Sequence, residues 1–168
     1  LLKLAVWQYR AQEIEGKRQA RYYTMYFDTP DMQMYTCHHS GHANRQKLRI
    51  RRYVDSGLNF LEVKTKNNHK RTRKKRTTMF DFDPLAPARD IAFDSHDDNF
   101  KEYDSFLREN LWYKPEIMEE AIENRFNRIT LVNNNKTERL TIDTDLCFHN
   151  IHTGNDCSLP ELAIIELK

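Results

Sequence analysis

The residues best suited to chemistry are basic side chains that occupy every second position of one short segment. In "QKLRIRRY", Lys47, Arg49 and Arg51 alternate with Leu48 and Ile50. Alternate residues of a β-strand share one face, so this spacing predicts a strand with a cationic face and an apolar face. Arginine makes forked hydrogen bonds to phosphate oxygens, and lysine acts beside it as a point charge. The cationic face is therefore a candidate anion-binding surface.

The following segment, "LNFLEVKTK", has the same alternation after a turn at residues 55–57. Glu62, Lys64 and Lys66 share one face, opposite Leu61. Two antiparallel strands joined by this turn stack several cations on one sheet, and their repulsion is relieved only by water or by a bound anion. The two segments together predict a hairpin with one charged face.

The pattern returns in the last third of the chain. Arg128 in "NRFNRITLV", Arg139 in "RLTIDTDLCF", and Glu166 and Lys168 in "AIIELK" alternate with aliphatic residues. One explanation is a single sheet with helices on its apolar face and solvent on its charged face. Another is a sheet closed into a barrel, whose interior strengthens each charged contact. In such a site the cations could hold a polyanion, while Glu62 and Glu166 hold a divalent ion.

Two further carboxylates follow the same spacing. Asp143 and Asp145 share the predicted face of Arg139. They could contribute to a metal site, but we expect them to pair with neighbouring arginines, since opposite charges across adjacent strands stabilise a sheet.

The elements that must position these strands are also visible in the sequence. Residues 21–27, "RYYTMYF", are aromatic and predict a strand. The segment "DTPDMQMYTCHHSG" predicts a short helix that Asp28 or Thr29 caps, with Pro30 at its first position and Gly41 at its end.

Three other segments complete the pattern. Phe100, Leu107 and the apolar residues between them recur at helical spacing within residues 97–113, which predicts an amphipathic helix. Residues 1–9 are apolar on most sides and predict the end of a packed helix. The basic run at 70–76 predicts a solvated loop that guides an anionic chain and leads into another strand. One α+β domain with a mostly antiparallel sheet is the economical arrangement.

Composition limits the class of protein. The 168 residues support one domain with a real core, and a net charge of +2 excludes a bulk polycation. The three cysteines match no metal spacing and fit a reducing, cytoplasmic compartment. No apolar run approaches the roughly 20 residues that cross a bilayer. The chain starts without Met and ends inside a predicted strand, so we expect the single domain at 1–168 to be incomplete at both ends.

Six motifs in order resemble a known family. "YYTMYFDTPDMQMY", "KLRIRRY", "FLEVKTK", "NRFNRITLVN", "RLTIDTDLCF" and "IIELK" look like a bacterial VTC domain. That family is the polyphosphate-polymerase branch of the triphosphate tunnel metalloenzymes, which are related to the CYTH proteins. The resemblance covers residues 21–168 and implies a closed antiparallel β-barrel, the triphosphate tunnel, with helices packed outside.

The resemblance also implies an activity and a set of site residues. In polymerase members the γ-phosphoryl group of ATP passes to a polyphosphate chain, with Mn²⁺ or Mg²⁺ as the metal. The tunnel residues that would act on the phosphates are Arg49, Arg51, Lys64, Arg128 and Arg139. Further residues that would bind the chain are Lys47 and Lys66, both near the rim, Lys168, and Lys75, or Lys74 if the alignment shifts by one. The implied metal ligands are Glu166 and, as a weaker candidate, Glu62.

Other functions remain open from the sequence. A tripolyphosphatase or nucleoside triphosphatase would use the same tunnel with water as nucleophile, and a protein without the missing segments could bind polyphosphate without making it. A basic sheet that binds RNA would need exposed aromatic residues among its cations for base stacking. Tyr53 and Phe60 lie only at the turn end of the hairpin, so nucleic acid is the weaker interpretation.

Overall fold

The fold is an antiparallel sheet with helices on one side. The computed structural model describes residues 7–14, 16–69, 71–80 and 100–168. The strands in these residues are β1 (Tyr9–Ala11), β2 (Gln19–Asp28), β3 (Arg45–Tyr53), β4 (Leu58–Lys66), β5 (Thr72–Met79), β6 (Glu119–Asn133), β7 (Arg139–Asn150), β8 (Asp156–Leu159) and β9 (Ile164–Leu167). The helices are α1 (Gln33–His39), α2 (Phe100–Asn110) and a single 3-10 turn at Pro115–Ile117. None of these helices is long and apolar enough to cross a membrane.

The sheet is open, so the predicted closed barrel is wrong for the described part of the chain. The strand order is β5-β4-β3-β2-β6-β7-β8, with β1 beside β6 and β9 beside β7. Closure of a barrel requires hydrogen bonds between the two edges of a sheet. The outer edge of β7 is instead shared by β8 and β9, strands of four residues each, and neither pairs with β5. The α+β class and the antiparallel pairing are confirmed.

The alternation predicted for the β3–β4 hairpin is confirmed by its register. Arg49 pairs with Glu62 on the polar face. On the other face Ile50 pairs with Leu61, and both side chains are fully buried. Because side chains alternate along a strand, this one register places every basic residue of the hairpin's charged rows on the same side.

The core lies between the apolar face of β2–β5 and the two α-helices. Met25, Leu48 and the hairpin residues above meet Met34 of α1 and Leu107 of α2 in one cluster of buried side chains. Each fully buried leucine or methionine contributes about 1.5–3 kcal/mol relative to an exposed one. The predicted amphipathic helix is therefore confirmed as packing on the outside of the sheet, although residues 97–99 of its predicted range lie outside the described residues.

Helix α1 is capped as predicted but begins later than predicted. Both carboxylate oxygens of Asp28 accept backbone hydrogen bonds, from Met34 and Tyr35 among others, and Thr29 Oγ1 accepts one from the backbone of Gln33. The buried aspartate therefore satisfies the first turn from the end of β2. Pro30 lies in the turn between Asp28 and the helix and not at the first helical position, because the helix begins only at Gln33.

The predictions for the N-terminal segment and for the basic run at 70–76 differ from the structure. Residues 1–6 of the predicted N-terminal helix lie outside the described residues, and Tyr9 opens strand β1. Residue 70 also lies outside them, but Thr72 begins β5, so most of the basic run forms a strand and not a loop. Backbone pairing with β4 along eight residues stabilises this strand, although Met79 at its end is its single apolar residue.

Candidate anion-binding site

A cavity of about 480 Å³ lies on the polar face of the sheet. Among the described residues that line it, ten are basic and no carboxylate is present. The basic residues are Lys17, Arg18, Arg49, Arg51, Lys64, Lys74, Arg76, Arg128, Arg139 and Lys168. So dense a group of like charges is repulsive on its own and strongly attracts anions.

The cavity is lined by residues from distant parts of the chain. The hairpin and β5 supply one side, and Arg139 and Lys168 supply the other. The pKa of Glu166 in β9 is lowered mainly by a hydrogen bond from Lys168, and also by the positive charges of Arg128 and Lys64. Lys64 of β4 and Lys168 after β9 line the same cavity, so the two ends of the sheet approach each other without backbone pairing between the described strands.

Glu62 anchors the floor of the cavity. Its side chain is fully buried, and its Oε2 accepts hydrogen bonds from Arg49 Nε at 2.8 Å and Nη2 at 2.6 Å. Its Oε1 accepts one from Lys74 Nζ at 3.0 Å. Burial favours a raised pKa for this carboxyl, but the adjacent cations outweigh burial and lower the pKa. Glu62 is therefore ionised and holds two cavity cations in fixed positions.

A second ion pair orients Arg128 at the other side of the floor. Its Nε and Nη2 donate to the two oxygens of Asp143, both at 2.6 Å, in the forked geometry typical of arginine and carboxylate. The guanidinium also lies 5.2 Å from the ring centres of Tyr22 and Phe126. The predicted pairing of Asp143 with a neighbouring arginine is confirmed.

Asp145 does not follow the predicted alternation. A register irregularity between β6 and β7 lies beside it, and its φ is 54°. Its carboxylate accepts hydrogen bonds from Asn127 and Thr144, residues of the opposite face. The bulge rotates Asp145 away from the cations, so its predicted place on the polar face is wrong.

Several cavity cations have no carboxylate partner. Within the described chain, no carboxylate lies within ion-pair distance of Arg51, Lys64, Arg76 or Arg139. Arg51 also lacks a hydrogen-bond partner for its Nε atom, which is buried. Burial and the charge of Arg49 lower the pKa of Arg51. These four side chains are therefore available to an incoming anion.

The two predicted metal ligands differ in their fit to a divalent ion. Glu62 does not fit, because both oxygens already bind cations and the side chain is inaccessible. Glu166 is half-exposed on the polar face, opposite Thr141 in register and 2.8 Å from Lys168. No group of three or more His, Cys, Asp or Glu that could hold a metal occurs in the described residues. Mg²⁺ often binds through one or two carboxylates plus substrate phosphates, so Glu166 alone fits that mode.

Most of the predicted phosphate-binding residues meet at the cavity. Six of the nine line it: Arg49, Arg51, Lys64, Arg128, Arg139 and Lys168. Lys47 and Lys66 share the polar face but lie beyond the cavity, as their predicted rim position implies. Lys75 pairs with Val63 and so points to the apolar side, whereas Lys74, the other residue that the alignment allowed, lines the cavity.

Several lining residues were not predicted from the sequence. Arg76 was not predicted because the basic run was interpreted as a loop. Its two-residue spacing from Lys74 could have indicated that both side chains lie on one face of a strand. Tyr22 and Tyr53 line the cavity and were assigned only to strand and turn. Lys17 and Arg18 precede β2 outside any alternating pattern, so no local signal identified them.

The open antiparallel sheet with a basic cavity on its polar face has counterparts among solved structures. The structure resembles a candidate adenylate cyclase from Bacillus halodurans, with a TM-score of 0.54, 16% identity, and coverage of 92% of this chain and 67% of the other. It also matches the PH1819 protein from Pyrococcus horikoshii, with a TM-score of 0.47, 11% identity, and coverage of 86% and 64%. At such identities the first likeness establishes the fold alone.

The family follows from the sequence itself. The chain belongs to the VTC domain family, whose model matches residues 2–168. No curated protein matches the chain. The chain spans about two thirds of the two solved structures, so their whole-protein activities do not transfer to it directly.

Proposed function

We propose that this domain binds a triphosphate or a linear polyphosphate chain in the basic cavity. The observation that carries the proposal is a cavity lined by ten basic residues and, among the described residues, by no carboxylate. At about 4 Å and an effective dielectric constant near 20, each cation–phosphate contact contributes about 4 kcal/mol before desolvation is subtracted. Several such contacts hold a chain of phosphates that carries one negative charge or more per unit.

We further propose that the bound chain accepts the γ-phosphoryl group of ATP, as the resemblance to polymerase members implies. A terminal oxygen of polyphosphate attacks the γ-phosphorus, the bond to the β–γ bridging oxygen breaks, and ADP leaves. Phosphoryl transfer depends mainly on positioning and charge neutralisation, which arginine forks and lysines supply. Arg51 and Arg139 are the proposed contacts to the reacting phosphates, while Arg49 and Arg128 are held by their carboxylates as fixed cations.

A divalent ion is part of this proposal. Glu166 would hold Mn²⁺ or Mg²⁺ on the polar face together with phosphate oxygens. The ion would supply additional neutralisation of phosphate charge. We place the reaction in the cytoplasm, where cysteines stay reduced, and Cys37, Cys147 and Cys157 are all free thiols.

RNA is a weaker ligand for this surface. The rings of Tyr22 and Phe126 stack on each other at 5.1 Å, and Arg128 covers both. Base stacking needs open aromatic faces. The aromatic cluster therefore supports the arginines and is poorly placed to receive bases.

The test combines product formation with binding. The protein is incubated with ATP and Mn²⁺, products are separated on a gel, and tripolyphosphate affinity is measured by calorimetry. We expect phosphate chains, and an Arg51→Ala variant that binds tripolyphosphate at least about tenfold more weakly, a loss of about 1.4 kcal/mol. Arg73→Ala is the matched control, because Arg73 is exposed on β5 and pairs with Thr65 on the opposite face.

The outcomes separate the candidate functions. Phosphate release without chain growth would indicate a tripolyphosphatase or nucleoside triphosphatase. Tight tripolyphosphate binding without either product would indicate a binding module. Equal affinity in both variants, or no binding at all, would contradict the proposed site.

A further inference from the structure

Three buried polar atoms on the polar face of the sheet have no hydrogen-bond partner among the described residues. They are Arg51 Nε, Thr24 Oγ1 and Asn124 Oδ1. Thr24 pairs in register with Arg51 on one side and with Asn124 on the other, so the three residues form one row across β3, β2 and β6. Directly paired residues lie on the same face, with Cβ atoms about 4.5–5.5 Å apart. We call this set the buried polar row.

We propose that a water molecule bound in the buried polar row orients Arg51, which makes Thr24 and Asn124 positioning residues of the anion-binding site. This inference rests on the proposed function, in which Arg51 contacts the reacting phosphates. Buried water in proteins typically makes about three hydrogen bonds to polar groups that otherwise lack a partner. The row offers three such groups: the water accepts from Arg51 Nε, donates to Asn124 Oδ1 and shares a hydrogen bond with the Thr24 hydroxyl.

The side chains around Thr24 favour an occupant of this size. Tyr22 and Tyr26 lie two residues before and after Thr24, on the same face of β2. Thr24 is much smaller than either tyrosine and is fully buried, so the row forms an enclosed low point between two rings. The guanidinium of Arg51 lies 5.7 Å from the ring centre of Tyr22, and its Nε therefore stays beside the row.

The buried polar row differs from the supports of the other two arginines on the cavity floor. Arg49 Nη2 donates to Glu62 at 2.6 Å, and Arg128 Nη2 donates to Asp143 at the same distance. Each of these carboxylates compensates part of the charge that it positions. Water, a hydroxyl and an amide are neutral. They can fix Arg51 through Nε and leave its charge and both Nη groups for the ligand.

The test removes one hydroxyl at nearly constant side-chain size. Thr24→Val cannot hydrogen-bond to water, whereas Thr24→Ser keeps the hydroxyl. We expect Thr24→Val to weaken tripolyphosphate binding about fivefold or more in calorimetry, and Thr24→Ser to restore most of the affinity. Thr78→Val is the matched control, because Thr78 is an exposed threonine of β5 that does not line the cavity. It should change the affinity by less than about twofold.

A double-mutant cycle distinguishes positioning of Arg51 from a general effect on the fold. In the Arg51→Ala background, Thr24→Val should weaken tripolyphosphate binding no further, because the hydroxyl acts through Arg51. Equal losses in the two backgrounds overturn the inference, since Thr24 then acts independently of Arg51. Unchanged affinity of the Thr24→Val variant also overturns it and leaves the proposed function intact, because tripolyphosphate still binds. A wild-type protein that does not bind tripolyphosphate removes both.

Two measurements test the row without a ligand. In urea unfolding we expect Thr24→Val to lower the midpoint, because the wild-type hydroxyl takes part in a hydrogen bond. A raised midpoint shows that this hydroxyl is buried without a partner, and it overturns the inference. In a crystal structure of the unliganded protein we expect one water molecule within about 3.2 Å of all three atoms. Direct hydrogen bonds among the three side chains, with no water between them, contradict it.

Discussion

At the scale of single residues, Glu62 has a different role from the one its sequence position implied. The motif "LEVK" resembles a metal-ligating segment, yet the carboxylate is buried and bridges Arg49 and Lys74. A buried carboxylate stays ionised only when cations or hydrogen bonds compensate the cost of its desolvation. Glu62 is therefore a positioning residue that holds two cations apart and in place.

This role predicts an effect on anion affinity opposite to the one expected from net charge alone. Glu62→Gln adds one positive charge to the domain, so electrostatics alone predicts tighter anion binding. We expect weaker tripolyphosphate binding, by about fivefold or more, because Arg49 and Lys74 lose their fixed positions. We also expect a loss of folding stability of about 3–5 kcal/mol, the usual effect of breaking a buried ion pair. Calorimetry and urea unfolding measure the two effects.

The control for this prediction removes the charge of another glutamate, which lies far from the cavity cations in sequence and is exposed. Glu109→Gln on the exposed side of α2 changes the net charge equally and should leave both quantities nearly unchanged. Tighter tripolyphosphate binding by the folded Glu62→Gln variant would show that Glu62 only opposes the ligand and does not position its partners.

A pair of neighbouring lysines tests which face binds the anion. Lys74 lines the basic cavity, and the adjacent Lys75 lies on the opposite face of the same strand. We expect Lys74→Ala to weaken tripolyphosphate binding about tenfold and Lys75→Ala to change it by less than about twofold. Titration calorimetry at one salt concentration provides the comparison. Equal losses would indicate general attraction by positive charge instead of a defined site.

At the scale of elements, the sequence predicted the strands that have two contrasting faces. β3 and β4 alternate aliphatic and charged residues, so their strand conformation and the face on which each side chain lies were both predictable. β5 was not, because lysine and arginine occupy both of its faces, and only pairing with β4 defines it as a strand. Likewise, the bulge at Asp145 depends on the partner strand, so alternation within β7 alone placed that residue on the wrong face.

A carboxylate in the turn between β3 and β4 contacts the segment that leads into β2. Asp55 Oδ2 accepts a hydrogen bond from the backbone N–H of Arg21 at 2.8 Å, and Oδ1 accepts one from Lys17 Nζ at 3.1 Å. The backbone hydrogen bond is the main cause that lowers the pKa of Asp55 to about 2. The carboxylate therefore connects the hairpin turn to the start of β2.

This contact predicts a pH-dependent stability difference. Because the folded pKa lies below the ordinary value, the contribution of Asp55 is complete above about pH 4 and is lost as pH falls towards 2. We expect Asp55→Asn to lower the free energy of unfolding by about 1–2 kcal/mol at pH 7. The difference between wild type and variant should shrink between pH 4 and pH 2 in urea unfolding experiments. A difference that stays constant over this range would contradict the assignment.

At the scale of the whole molecule, basic rows from distant segments of the chain converge on one cavity. The sequence predicted the rows and, through six motifs, the family. It could not predict that the sheet formed by the described residues stays open, because closure depends on which distant edges pair and how strongly the sheet curves. Lys64 of β4 and Lys168, which follows β9, still line the same cavity, so residues from both ends of the sheet meet without a closed barrel in the described part of the chain.

A crystal structure of the protein with tripolyphosphate tests this convergence most directly. We predict that one bound chain contacts Arg51 of β3 and Arg139 of β7 at the same time, within the basic cavity. Phosphates that bind the outer face of the sheet, or that contact only one of these two arginines, would show that the basic rows do not form one binding site.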